Sequence, residues 1–369
     1  MTNIKKIVAL LLCVVMTLGF TACRTENESA VVYKTESGRE IPVRSALYIL
    51  FQIDADADYK EEYDAKATKE TDTDAKETDY TKTELDGKKY NDWVEEKALE
   101  YASEFAFVEA KCAELNIELS DEQKSSVTNA LTQLWDSNKK FYEKNCVAKS
   151  TLETYITIMQ KQEALFDYYY GVEGKEPISD EQVKEYLTEH GILVQYLSYS
   201  KQGYNQAGET QTISDETKKE YTTVFKGYVD RLNKGEDYAK IRAEYLKKIG
   251  EEETVDTKGS TLKYPYAMYM SDEEASINPF DYYDEVAALE VNKAGFYEND
   301  GALFVMQKVD LQADMDSVLK NNASKVRHNL KDEDFDKIVE DGAKALTCEK
   351  NTSALEFYTA DKLKLETEK

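Results

Sequence analysis

The chain has 369 residues and 41% hydrophobic content, enough for two or three domains with cores, which excludes a wholly disordered protein. Its formal net charge of −26, from 73 acidic and 47 basic residues, excludes a cationic phosphate-binding face and electrostatic docking on anionic lipid. Only 2 histidines are present, which leaves few groups for acid–base or metal chemistry.

Lys5 and Lys6 precede an apolar run, Ile7–Phe20, that closes in Thr21, Ala22 and Cys23. The run is short for a bilayer span of about 20 residues, and it has the three parts of a secretory signal. Small residues before a cysteine resemble a bacterial lipobox, although Phe20 stands where Leu is more usual. The expectation is a signal peptide over 1–22, lipidation of Cys23, and a mature chain anchored on the extracytoplasmic face of the cell membrane. Two acyl chains suffice for stable anchoring. An ordinary signal peptide with an incidental cysteine is the other reading. The polar stretch 23–40 reads as a tether. Cys112, Cys146 and Cys348 remain, an odd number without CxxC spacing; buried apolar thiols are expected, with one disulfide left open.

Ile41–Ile53 is the first expected helix. Its continuation, 54–86, is rich in Asp, Glu, Lys and Thr and reads as a solvated extension followed by a flexible acidic loop. Asp54, Asp56 and Asp58 suggest calcium, but no glycine turn or closing glutamate follows, so no metal is expected. In 88–115 the positions Val94, Ala98, Tyr101, Phe105, Val108, Cys112 and Leu115 fall on one helical stripe. Ser120 with Gln123 and Ser150 with Glu153 are capping-box patterns for the next two helices. Gly171, Gly174 and Pro177 end the second of these.

Ser179 with Gln182 opens a short helix, and the strand Ile192–Ser200 follows. A polar loop over 201–212 leads to helices over 215–233 and 237–249. The stretch 251–278 is mixed. A short helix at 282–289 precedes two strands, 295–297 and 303–309, joined by a turn at Asn299, Asp300 and Gly301. This order predicts a small α+β domain with antiparallel strands. Two further helices, 313–329 and 332–346, and a short strand at 354–358 complete the chain.

Gly235–Tyr245 (GEDYAKIRAEY), Ala288–Tyr297 (ALEVNKAGFY) and Asp300–Val309 (DGALFVMQKV) resemble motifs of the parvulin-type peptidyl-prolyl isomerase domain. The stretches ELNIELSDEQ and LFDYYYGVEGKEPISDEQVKEYL, with the ending NTSALEFYTADKL, are similar to the helical chaperone region of secreted parvulin foldases of the PrsA and SurA types. The resemblance spans roughly 41–363. It implies an α+β fold: a mainly helical chaperone domain built from 41–177 and 311–369, with a parvulin-like α/β domain inserted over 178–310. It also implies a histidine in the first strand, where Tyr196 or Leu197 stands, and a second after Gly301, where Ala302, Leu303 and Phe304 stand. His190 and His328 lie elsewhere.

No catalytic residue is therefore assigned, and no cofactor motif such as GxSxG, HExxH or GxGxxG is present. An apolar peptide-binding cleft is expected around Tyr196, Phe225, Phe280, Phe296 and Phe304. The leading expectation is a lipid-anchored chaperone for unfolded or nascent secreted polypeptides, with little or no isomerase activity and no nucleic-acid partner; a homodimer is left open. The alternatives are an active prolyl isomerase and a surface lipoprotein that uses the fold as a binding module without chaperone activity.

Overall fold

The structure is a computed structural model that describes residues 25–67, 78–204, 210–272 and 282–365. It has the expected α+β class, with long helices and small antiparallel sheets. Two compact units divide the chain: 1–176 with 331–369, and 177–330.

The first unit begins with strands β1 (Ser29–Lys34) and β2 (Glu40–Arg44), joined through a turn where Gly38 has φ +81°. Thr35 and Gly38 close that turn by backbone hydrogen bonds. This corrects the tether expected over 23–40. Ala30, Val31 and Tyr33 are buried, and a third strand, β11 (Thr347–Lys350), pairs with β1 on its other side. The apolar run expected as one helix is split. Ile41 and Val43 alternate inward on β2, and helix α1 (Ser45–Ala67) starts only at Ser45, whose N–H donates to the Glu28 carbonyl.

The acidic loop expected through residue 86 is ordered from residue 78 onward; 68–77 lie outside the described residues. The Tyr80 hydroxyl donates to Asp64, and a tight hairpin joins β3 (Glu84–Leu85) to β4 (Lys88–Lys89) through Asp86 and Gly87, both at positive φ. Helix α2 (Tyr90–Leu115) buries Val94, Ala98, Phe105, Val108 and Cys112 on one stripe and packs on α1. Helix α3 (Asp121–Lys144) has the Ser120–Gln123 capping box.

Helix α4 (Lys149–Tyr170) does not use the Ser150–Glu153 pattern. It starts earlier, with Ala148 as cap, because Val147 and Leu152, at the two positions of a hydrophobic staple, are both buried. The C-terminal tail docks on this unit: Gln52 donates to the Tyr358 carbonyl, and Asn91 accepts from the Asp361 N–H.

The second unit contains α5 (Asp180–Glu189), opened by the Ser179–Gln182 box, then β5 (Gly191–Ser200). The loop expected over 201–212 carries a small hairpin, β6 (Gln202–Tyr204) with β7 (Thr210–Thr212). Helices α6 (Asp215–Asn233) and α7 (Tyr238–Ile249) follow, each with a side-chain cap, Ser214 and Asp237. Then come β8 (Ala267–Ser271), α8 (Tyr283–Ala287), β9 (Ala294–Glu298) and β10 (Ala302–Val309). They form one antiparallel sheet in the order β8-β5-β10-β9. Strand β8 lies inside the stretch read as mixed.

This unit ends at Leu330 rather than at residue 310. Arg327 donates to the Ile178 carbonyl and at 2.6 Å to Asp180, and Asp314 accepts from the N–H groups of Lys263 and Tyr264. The two helices expected after residue 310 are a single helix, α9 (Met315–Lys344). The strand expected at 354–358 is a helix, α10 (Thr352–Phe357), capped by the Asn351 side chain. Among the described residues no helix is long and apolar enough to cross a membrane.

Candidate functional site

Side chains of a strand alternate between the two faces of its sheet, and residues paired across strands share a face. Strand β5 pairs with β10 so that Tyr196 lies opposite Met306 and Leu197 opposite Val305; β9 brings Phe296 opposite Val305 and Tyr297 opposite Phe304. One face therefore carries Leu197, Leu303, Val305 and Phe296. Helices α6 and α7 cover it with Phe225, Tyr228, Leu232, Tyr238, Ile241 and Tyr245. The other face carries Ile192, Val194, Phe304 and Met306, with Val286 of α8 and Met270 of β8 against them and Tyr196 at the margin.

This arrangement corrects the expected cleft. Tyr196 and Phe304 belong to one face, Phe225 and Phe296 to the other, and Phe280 lies outside the described residues. Phe225 is fully buried and Phe304 nearly so, which makes both core residues. Phe296 is half-buried, with the Lys226 ammonium 5.4 Å from its ring centre. Choosing aromatics without their strand parity merged two cores into one cleft. Cys23 also lies outside the described residues.

A concave feature of this unit lies at the edge of β5. Strand β8 pairs with β5 only from Gly191 to Gln195. Just before β8, Pro265 sits in a turn closed by the Ala267 N–H on the Tyr264 carbonyl, and the chain leaves the edge there. The other half of β5 borders a groove of about 1200 Å³. Its walls are Tyr196 to Ser200 of the strand, Arg242, Tyr245, Leu246 and Ile249 of α7, the β7 end of the hairpin, and Val255 and Pro265 to Met268 of the return chain.

Two tyrosines of α7 reach this edge. The Tyr238 hydroxyl donates to the Tyr196 carbonyl and the Tyr245 hydroxyl to the Ser198 carbonyl, each at 2.5 Å. Burial pushes both phenols well above their ordinary range, so both keep their donating proton throughout the physiological range. Tyr199 stacks on Tyr221 with ring centres 3.6 Å apart. The groove's one arginine, Arg242, is held by Glu253 in a two-pronged pair at 2.7 and 3.0 Å. That pair holds the Glu253 carboxyl below the usual range. The lining thus combines hydroxyls, apolar side chains, an arginine that is already matched, and the exposed carboxylate of Glu251.

The histidines stand apart from this groove. His190 caps α5, stacks on Tyr186 at 4.3 Å and has Nδ1 3.2 Å from Asp272. His328 is on α9. Leu197 and Leu303, at positions where the resemblance implies histidines, are core residues.

The acidic run of α1 is occupied by phenols: Asp54 accepts from Tyr155, Asp56 from Tyr90 and Lys60, and Asp58 from Tyr101. Among the described residues no group of three or more His, Cys, Asp or Glu side chains is placed to hold a metal ion. Of the three cysteines among the described residues only Cys112 is buried; Cys146 is half-buried and Cys348 exposed, which corrects the expectation of three buried thiols. Cys348 is on the edge strand β11, whose four residues are all exposed.

Sequence reasoning missed Ser198, Ser200, Tyr245, Ile249 and Met268 as groove residues. Two signals were legible: the Tyr/Ser alternation at the end of β5, and a proline placed to stop its neighbour.

No family model and no curated protein matches this chain. Solved structures similar to it include two of PrsA foldases. The foldase protein PrsA from Streptococcus pneumoniae is 14% identical, with 69% of this chain and 85% of that chain covered and a TM-score of 0.38. PrsA from Bacillus subtilis is 12% identical, with 76% and 88% covered and a TM-score of 0.29.

Proposed function

We propose that this chain is a lipid-anchored extracytoplasmic chaperone that binds unfolded secreted polypeptides, with little or no prolyl isomerase activity. The groove beside the unpaired half of β5 is the observation that carries the reading. It offers Tyr, Leu, Ile, Val and Met surface together with hydroxyls; its arginine is matched by Glu253, and Glu251 leaves it tolerant of neutral and basic ligands. Tyrosine-rich surfaces of this kind give amphipathic contact area at low entropic cost. An unfolded chain supplies what such a surface takes, apolar side chains and unsatisfied backbone. The net charge of −26 keeps a loaded complex dispersed.

Prolyl isomerisation needs a twisted amide to be stabilised against a barrier of about 18–20 kcal/mol. Tyr196 or Leu197 stands where the resemblance implies a histidine, and Leu197 is buried under α6 and α7. This favours binding over catalysis.

The test is the precipitation of the insulin B chain after reduction, followed by light scattering. Near-stoichiometric amounts of the protein should suppress it. No suppression of insulin or of several unrelated unfolded clients would favour a binding module without chaperone activity. Clear acceleration of a refolding reaction limited by a prolyl bond would overturn the low-isomerase part of the reading.

A further inference from the structure

We infer that the free half of β5 binds client backbone directly, as an added strand, at Ser198 and Ser200. This rests on the chaperone reading and specifies how that site takes its substrate.

The N–H and C=O of one residue in an antiparallel strand point to the same side, and the side alternates along the strand. The Ser198 carbonyl accepts the Tyr245 hydroxyl, which comes from α7 and not from β10. Ser198 therefore presents its N–H away from β10, and Ser200, two residues on, does the same. Strand β8 does not meet them, because its last pair with β5 is Ala267 with Gln195. Two backbone donors thus face the groove on an otherwise regular strand. An extended peptide that supplied carbonyls at a two-residue repeat would satisfy both.

The surroundings select the occupant. The groove exceeds the usual range of small-molecule sites, roughly 300–1,000 Å³, at about 1200 Å³. The return chain, through Val255 and Pro265 to Met268, lines the groove together with β5 and α7. Pairing with a second copy would set −26 against −26. Arg242 is tied to Glu253, so no acidic ligand is recruited. Tyr196, Ile249, Val255 and Met268 suit alternating apolar or aromatic side chains. The occupant is a single extended, neutral or mildly basic stretch of unfolded polypeptide, read through its backbone.

The probe is a fluorescein-labelled, end-capped peptide of alternating tyrosine and threonine with a lysine at each end. Its counterpart is N-methylated at every tyrosine and threonine, so that methyl groups stand on both edges of the extended peptide and block strand pairing sterically while its charge is unchanged. Fluorescence anisotropy should show binding of the first peptide and at least tenfold weaker binding of the second. Ser198→Pro deletes an outward N–H without touching the ladder to β10, and proline is tolerated at a strand edge of this kind. It should weaken the first peptide at least tenfold. Should Ser198→Pro not fold, hydrogen exchange in the wild-type protein gives the same answer: the Ser198 and Ser200 amides should gain protection when peptide binds.

Equal affinity for the two peptides, undiminished binding by a folded Ser198→Pro variant, or unchanged exchange at both amides in the presence of bound peptide would overturn strand addition. With insulin precipitation still suppressed, the chaperone reading would stand. No peptide binding combined with no suppression would remove both.

Discussion

Glu104 on α2 makes the stability of the first unit depend on pH in a defined direction. Burial raises its carboxyl first and the neighbouring Glu100 second; Lys97 opposes them, and Glu340 and Asp336 of α9 add smaller increments, leaving it at about 7. A carboxyl raised in the folded state holds its proton more tightly there than in the unfolded chain. Its contribution is therefore unperturbed below the ordinary value of 4.5, turns unfavourable as pH rises, and is a full penalty above about 7. At about 1.4 kcal/mol per pH unit the gap corresponds to a ceiling of about 3 kcal/mol. The carboxyl is partly open to solvent, and screening reduces the penalty to about 1–2 kcal/mol. Glu104→Gln removes the charge and keeps the shape. Urea unfolding at pH 8 should show the variant about 1–2 kcal/mol more stable than the wild type, and at pH 4.5 the two should nearly coincide. Taking the difference between variant and wild type cancels the other carboxylates. A variant destabilised at pH 8, or a difference independent of pH, would refute the reasoning.

Phe225→Ala should lower stability by about 3–5 kcal/mol, because its ring is fully buried between α6, α7 and the sheet, whereas half-buried Phe296→Ala should cost clearly less; chemical denaturation ranks the two. Native-state alkylation should modify Cys348 rapidly and leave Cys112 untouched until the chain unfolds, since burial pushes the Cys112 thiol up to about 11; peptide mapping of the labelled sites decides this. Gly191→Ala should destabilise the second unit by about 1–3 kcal/mol, because the added Cβ would lie 2.1 Å from the hydroxyl oxygen of Tyr269, whose proton is donated to the Leu187 carbonyl. A variant with unchanged melting would mean that the ring moves freely.

The sequence showed most where one local signal suffices. The Ser120–Gln123 and Ser179–Gln182 boxes, the β-rich run at 192–200, and the turn in which Asn299 accepts from Gly301 and Ala302 all depend on neighbours a few residues apart. The first unit's sheet depends on pairing at long range. Val31 meets Lys350, and no periodicity in SAVVYK or TCEK announces a partner over 300 residues away. The strand expected at 354–358 failed for a local reason that was legible: Asn351 is a helix cap whose side chain accepts from the Ala354 N–H. The candidate cleft failed on parity. Phe304 and Phe296 were chosen as aromatics, yet adjacent positions on paired strands point to opposite faces, and only the register assigns them. Two features of the groove, the Tyr/Ser alternation of β5 and Pro265, were legible; its assembly was not, because tyrosines on α7 reach strand carbonyls more than 40 residues away in sequence.

The central claim is recognition of unfolded chain, and one pair of ligands tests it directly. Native lysozyme and its reduced, carboxamidomethylated form share the same lysines and arginines, so attraction to a protein of charge −26 is common to both. Titration calorimetry should show binding of the permanently unfolded form alone. Equal binding of the two, or none of the unfolded form, would contradict the account.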